Sequence, residues 1–186
     1  MILPILAYGD PVLKKKATEV KKDYPHLNKI VEDMFETMYS AHGVGLAAPQ
    51  VGLSIRIFVV DASPFSEDDP SVDGFKRVFI NPTITEEDGE PWKFNEGCLS
   101  IPGIREDVMR MPELTISYMD ENFKPCKEHF DGIIARIIQH EFDHLEGVLF
   151  VEKISPLRKR LIKNKLEKIA SGIASADYKI KFYHKR

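Results

Sequence analysis

Apolar residues recur at helical spacing over Leu27, Ile30, Val31, Met34, Phe35 and Met38. That period predicts an amphipathic helix ending near Gly43. Residues 56–61 form a nearly unbroken apolar run and read as a buried strand, and 77–82 read as a second one stopped by Pro82. The stretch between them, 62–76, is rich in Ser, Pro, Asp and Gly and reads as a loop. Leu114, Ile116 and Tyr118 alternate with Thr115 and Ser117, which predicts a strand with one wet face. The helical period returns from 130 to 146, and Gly147 stops it. Ser155 as cap and Pro156 at the first position then open another helix, with Leu157, Leu161, Ile162 and Leu166 as its apolar side. These elements predict an α+β fold: mostly antiparallel short strands around one central helix, with a basic helix at the C-terminal end.

The chain has 186 residues and is 43% apolar, enough to bury a core and too apolar for a disordered chain. A single domain over 1–186 is expected, with 155–186 as a basic C-terminal helical extension. No apolar run approaches the ~18 residues of a membrane helix, so no membrane span is expected. The opening residues lack a basic leader, and only Cys98 and Cys126 are available as cysteines. Neither a signal peptide nor a disulfide scaffold is expected, which points to the cytoplasm. Cys126 has no chemical context and reads as structural.

The net charge of −3 conceals an asymmetry. Residues 153–186 hold eleven Lys/Arg against Glu167 and Asp177, whereas 1–152 hold fifteen against twenty-seven acidic residues. Such a tail suits an anionic partner, although a plainly solvated helix face explains it equally well. The acidic body argues against DNA binding, and no repeat of stacking aromatics supports an RNA-binding module.

The chemistry concentrates on the second long helix. Residues 140–144 spell H-E-F-D-H, and histidines four apart leave a helix from one face, so His140 and His144 can bind one metal ion. At ~100° per residue from Ile133, these histidines lie at about −20° and +20°, on one edge of an apolar arc. Glu141 lies near 80°, inside that arc, while Asp143 and Glu146 point to the wet side. A carboxylate aimed into a core is costly unless a charge or a donor meets it, and a metal site supplies both. Arg136, at about −60°, reads as the partner of a nearby carboxylate rather than as a substrate contact.

Two histidines rarely suffice for a catalytic ion. A third histidine six residues on is missing, since position 150 is Phe150. Glu167 has the spacing of a zinc endopeptidase ligand, but it sits among Lys163, Lys165 and Lys168 and reads more simply as an i,i+4 charge pair. Cys98, within E-G-C-L-S at 96–100, offers a thiolate that suits zinc or ferrous iron beside two imidazoles. A third cluster, G-V-G-L-A-A-P-Q at 43–50, has glycines two apart that permit close backbone approach, and it lacks the lysine of a phosphate loop.

Together the three segments resemble the motifs of the peptide deformylase family: G-x-G-L-A-A-x-Q at 43–50, E-G-C-L-S at 96–100 and Q-H-E-x-D-H-x-x-G at 139–147. The opening stretch from Tyr8 to Val20 is similar as well, so the resemblance covers roughly residues 5–155. It implies removal of the formyl group from N-formylmethionyl nascent peptides, with a zinc endopeptidase on the same helix as the alternative. It further implies Cys98, His140 and His144 as ligands of one divalent ion, usually Fe2+, with Zn2+, Ni2+ or Co2+ as substitutes. Glu141 is then the general base, and Gln50 and the Leu99 N–H hold the oxyanion. Val44 and Gly45 pair with the extended substrate. Gly43, Glu96 and Ile137 wall the methionine pocket, and Arg105 contacts the peptide beyond methionine. Arg110 is expected to be the charge partner of Glu96, and the basic tail suits the ribosome, whose RNA is anionic.

Overall fold

The computed structural model describes residues 1–183; the last three residues of the basic tail, 184–186, lie outside the described residues. The first long element is α1 (Leu27–Ser40), which buries Leu27, Met34, Phe35 and Met38 as its spacing requires. It packs on an antiparallel sheet of five strands: β2 (Gly45–Ala47), β3 (Ile57–Asp61), β4 (Lys76–Asp88), β7 (Glu113–Met119) and β8 (Pro125–Asp131), in that spatial order. A separate antiparallel hairpin is made by β5 (Trp92–Cys98) and β6 (Ile101–Arg110). The central helix α2 (Gly132–Leu145) lies between these two sheets, and α3 (Pro156–Ala170) packs outside β6. A last pair, β1 (Ile5–Leu6) with β9 (Ile180–Lys181), is parallel.

The second strand does not stop at Pro82. β4 continues to Asp88, and its pairing with β7 shifts register between Ile80 and Thr83. A bulge can hold a proline because the ladder bond is already broken there. Asn81 enters the bulge at φ 49° and uses its side-chain amide to bond both the N–H and the C=O of Val20. Phe130, expected to open the helix, belongs to β8, where it meets Phe75 and Phe79 edge-on. The helix begins two residues later at Gly132, which adopts φ 54°. Strands β5, β6 and β8 are interrupted by charged residues on both faces, so no apolar run announced them.

The stretch 62–76 is more ordered than a loop, with 3-10 turns at Ser63–Phe65 and Pro70–Val72 and a buried Val72. Ser155 caps α3 by accepting from the Arg158 N–H. Half of its expected apolar side is covered, Ile162 buried and Leu166 partly so, and Ile169 joins them, but Leu157 and Leu161 are 67% and 60% exposed. Arg158 ties the helix to β6, its guanidinium gripping the buried Glu106 through two bonds of 2.8 Å. Beyond Ala170 the tail is no longer helical; it returns to place β9 beside β1. Among the described residues, no helix is long and apolar enough to cross a membrane.

Candidate active site

Helix α2 carries one half of the site. His140 and His144 leave it one turn apart with ring centroids at 5.1 Å, and Glu141 between them is only 5% exposed. The other half arrives from the β5–β6 corner, where the ladder shifts between Gly97 and Cys98. That irregularity turns the Cys98 thiol toward the helix, with Sγ 3.3 Å from His144 Nε2. One ligand atom from each of Cys98, His140 and His144 lies within 4.8 Å of the other two. A sulfur and two imidazole nitrogens at such separations fit a tetrahedral divalent ion with one position open.

The third motif packs against this centre. Gln50 is buried in the turn after β2; its Oε1 accepts from the Ala47 N–H at 2.9 Å, which aims Nε2 at Ser100 Oγ (3.2 Å) and Cys98 Sγ (3.5 Å). Gly43 and Gly45 have no positive φ; they are small because neighbours crowd them. A β-carbon on Gly43 would stand 2.8 Å from Leu99 Cδ1, and one on Gly45 would run into the Glu141 carboxylate.

Behind the ligands lies a buried ion-pair network. Glu96 accepts from Arg110 Nε at 2.7 Å and Nη2 at 3.0 Å, from Arg136 Nη1 at 2.9 Å, and contacts His140 Nδ1 at 2.9 Å. Arg110 also reaches Asp143, so that carboxylate is not on a freely wet face. Arg136 is 2% exposed, stacks over Trp92 at 4.6 Å and bonds the Trp92 carbonyl. The Glu96 carboxylate is thus fully engaged by cations, and it fixes the His140 ring through Nδ1 while leaving Nε2 for a ligand bond.

These contacts set the ionisation of the site. Burial alone would raise Glu96, but its bonds to His140 and Arg110 outweigh that and hold it far below the usual carboxylate range. Burial would lower His140, yet Cys98 and Glu96 push it up to about 10. Burial, helped by His140 and Arg110, drives His144 well below its ordinary value. Glu141 has no such partner. Burial raises it to about 7, and its Oε2 has no hydrogen-bond partner among the described residues. Glu141 is thus a buried carboxylate without a cation bonded to it on the wall of the same cavity as Cys98 and His140, a setting suited to proton transfer.

The site opens onto one cavity of about 630 Å3, with His144 and Arg110 set behind its lining. Gly43, Val44, Gly45, Gln50, Glu96, Cys98, Leu99, Arg105, Ile137, His140 and Glu141 all line it. Arg105 sits at the outer rim, tied to Asn95 by bonds of 3.0 and 2.6 Å. Glu167 is far from chemistry: it is 62% exposed on α3 and faces Lys163. Phe65, Phe94 and Tyr178 also line the cavity, yet no motif or periodicity singles them out in the sequence.

An H-E-x-x-H helix completed by a cysteine on a neighbouring hairpin defines a metallohydrolase rather than a binding module. The comparisons with known proteins narrow that class. Residues 2–160 match the polypeptide deformylase family, and the chain belongs to that family. It is 58% identical to the peptide deformylase of Flavobacterium johnsoniae, over 98% of this chain and 96% of that one. Among solved structures, a peptide deformylase from Legionella pneumophila superposes with a TM-score of 0.80 at 39% identity, covering 90% of this chain and 95% of the other. That from Thermotoga maritima gives 0.76 at 42% identity, covering 84% and 99%. The zinc endopeptidase alternative finds no support in these comparisons or in the position of Glu167.

Proposed function

We propose that this chain hydrolyses the formamide bond of N-formylmethionyl nascent peptides, with Cys98, His140 and His144 holding the divalent ion and Glu141 moving the proton. The observation that carries the reading is the buried, unpartnered Glu141 Oε2 beside three ligand atoms lying within 4.8 Å. The ion is Fe2+ in the cell, and Zn2+, Ni2+ or Co2+ serve as substitutes; the soft thiolate with two imidazoles suits each of them. When bound, the ion supplies Lewis acidity and lowers the pKa of water.

Glu141 takes a proton from the attacking water as its oxygen bonds to the formyl carbon. It then hands that proton to the leaving nitrogen as the C–N bond breaks, giving formate and a free amino terminus. Gln50 Nε2 and the Leu99 N–H receive the negative charge that develops on the formyl oxygen, a contribution of about 100- to 1,000-fold per donor in comparable sites. The substrate backbone adds beside β2, which is the edge of its sheet. Val44 C=O accepts from the Asp61 N–H on the inner side, so in an antiparallel ladder Gly45 turns its N–H and C=O to the open edge. The methionine side chain enters between Gly43, Ile137 and the edge of Glu96, and Arg105 meets the residues beyond it. Cytoplasmic work beside the ribosome follows, with the basic face of α3 and the tail as the docking element.

Formate release from a formyl-methionyl tripeptide, measured on anaerobically purified protein before and after chelation, tests this. Rapid release that chelation abolishes is expected, as is a loss of at least ~100-fold in Glu141→Gln with its metal retained. No release from protein carrying one ion per chain overturns it. Charge reversal of Lys159, Arg160, Lys163, Lys165 and Lys168, sparing the Arg158 that pairs with Glu106, should weaken ribosome binding while leaving peptide turnover intact.

A further inference from the structure

The segment beyond α3 reaches the active site. After Ala170 the chain turns back and β9 runs beside β1, with the Ile5 N–H donating to Lys179 C=O and the Ala7 N–H to Lys181 C=O, both at 2.9 Å. This return brings Ser175, Ala176, Asp177 and Tyr178 to the wall of the cavity that Cys98 and His140 line. Tyr178 is partly buried against the core, and its hydroxyl donates to the Leu99 carbonyl at 2.7 Å.

Leu99 lies in the corner of the β5–β6 hairpin. The regular ladder ends at Gly97, and Cys98 then pairs across the corner with Ile101. Residues 99 and 100 are therefore held from outside the hairpin: Ser100 C=O accepts from the Tyr8 N–H at 2.7 Å, and Leu99 C=O accepts from Tyr178. The match to the family ends at residue 160, so the clamp on Leu99 comes from a part of the chain outside the matched segment.

We propose that Tyr178 is a positioning residue for deformylation: by holding the Leu99 carbonyl it fixes the dihedral angles of the residue whose N–H meets the developing oxyanion. This rests on the role given to Leu99 above. An oxyanion donor is effective only when it is already aimed within about 2.7–3.1 Å of where the charge forms. A peptide free to rotate at a hairpin corner loses that aim.

Tyr178→Phe removes only the hydroxyl. In zinc-loaded protein it should keep one ion per chain and a KM within about twofold of the parent. Its kcat should fall about two- to tenfold, the range expected for one neutral hydrogen bond, and the Leu99 amide resonance should move. An unchanged kcat overturns the proposal, as does a fall in kcat that merely tracks loss of metal or of folded protein. Tyr178→Ala separates ring from hydroxyl: if only this variant is slow, packing rather than the hydrogen bond is responsible and the proposal fails. Wild-type protein in the same assay distinguishes the two readings. Absence of formate release there defeats the deformylase reading itself, whereas equal release by wild type and Tyr178→Phe defeats only the role of Tyr178.

Discussion

Gly45 touches Glu141 so closely that a single added carbon would displace it: a β-carbon there would stand 2.8 Å from both Cγ and Cδ of the glutamate. The sheet edge proposed to receive the substrate and the group proposed to move the proton are therefore one packed unit. Gly45→Ala must shift either the strand or the carboxylate, and misplacement of a reacting group by about 1 Å costs on the order of 100-fold. The variant should retain its metal while kcat drops by about that factor, with a stability loss of about 1–3 kcal/mol from the crowding. Steady-state kinetics with metal analysis checks this, and normal turnover would show that Glu141 tolerates the shift.

Glu96 should prove as important to stability as to chemistry. Its carboxylate meets Arg110, Arg136 and His140 in a buried setting. Glu96→Gln leaves the buried Arg136 guanidinium without its counter-charge and Arg110 with Asp143 alone, at an expected cost of about 3–5 kcal/mol. Denaturant titration measures that cost directly.

The same residue shapes the acid limb. Its pKa is depressed in the folded state, so its stabilisation is complete above the unfolded value of 4.5 and is lost as pH falls below it. Stability of the parent should fall steeply under pH 4.5, and Glu96→Gln should flatten that part of the profile. Parallel acid limbs in the two proteins would contradict the assignment.

Metal uptake should expel protons. In the ion-free site Cys98 and Glu96 hold His140 up at about 10, so at pH 7 its ring carries a proton that a metal ligand cannot keep. Calorimetry in buffers of different ionisation enthalpy should find about one proton released from this ring per ion. Apparent affinity should rise about tenfold per pH unit per proton displaced between pH 6 and 9. Affinity independent of pH would show the ring to be neutral already.

The two faces of α3 should respond differently. Ile162 is buried, so Ile162→Ala is expected to cost about 2–5 kcal/mol. Leu157 and Leu161 face outward, and replacing either with Ser should change stability by less than about 0.5 kcal/mol. Thermal unfolding of the three variants decides it.

The sequence by itself determined the parts whose information is local. Helical spacing on α1 and α2 follows from which face must be buried, and the i,i+4 histidines with a glutamate between them follow from helix geometry alone. The cap at Ser155 is local in the same sense. Tertiary structure decided whatever depends on partners distant along the chain. Strands β5, β6 and β8 place charged residues on both faces, Glu106 and Arg110 among the buried ones, and become strands only by pairing. Pro82 ends a strand in isolation but sits within β4 because Asn81 finds Val20, sixty-one residues away. Leu157, Leu161, Ile162 and Leu166 match one helical stripe, yet α3 meets the body of the protein only along Ile162, Leu166 and Ile169, and Leu157 and Leu161 stay outside. Tyr178 carries no motif, and only the return of the chain to β1 brings its hydroxyl to Leu99. A period records which side of an element faces inward; which neighbour it meets depends on contacts that no local pattern contains.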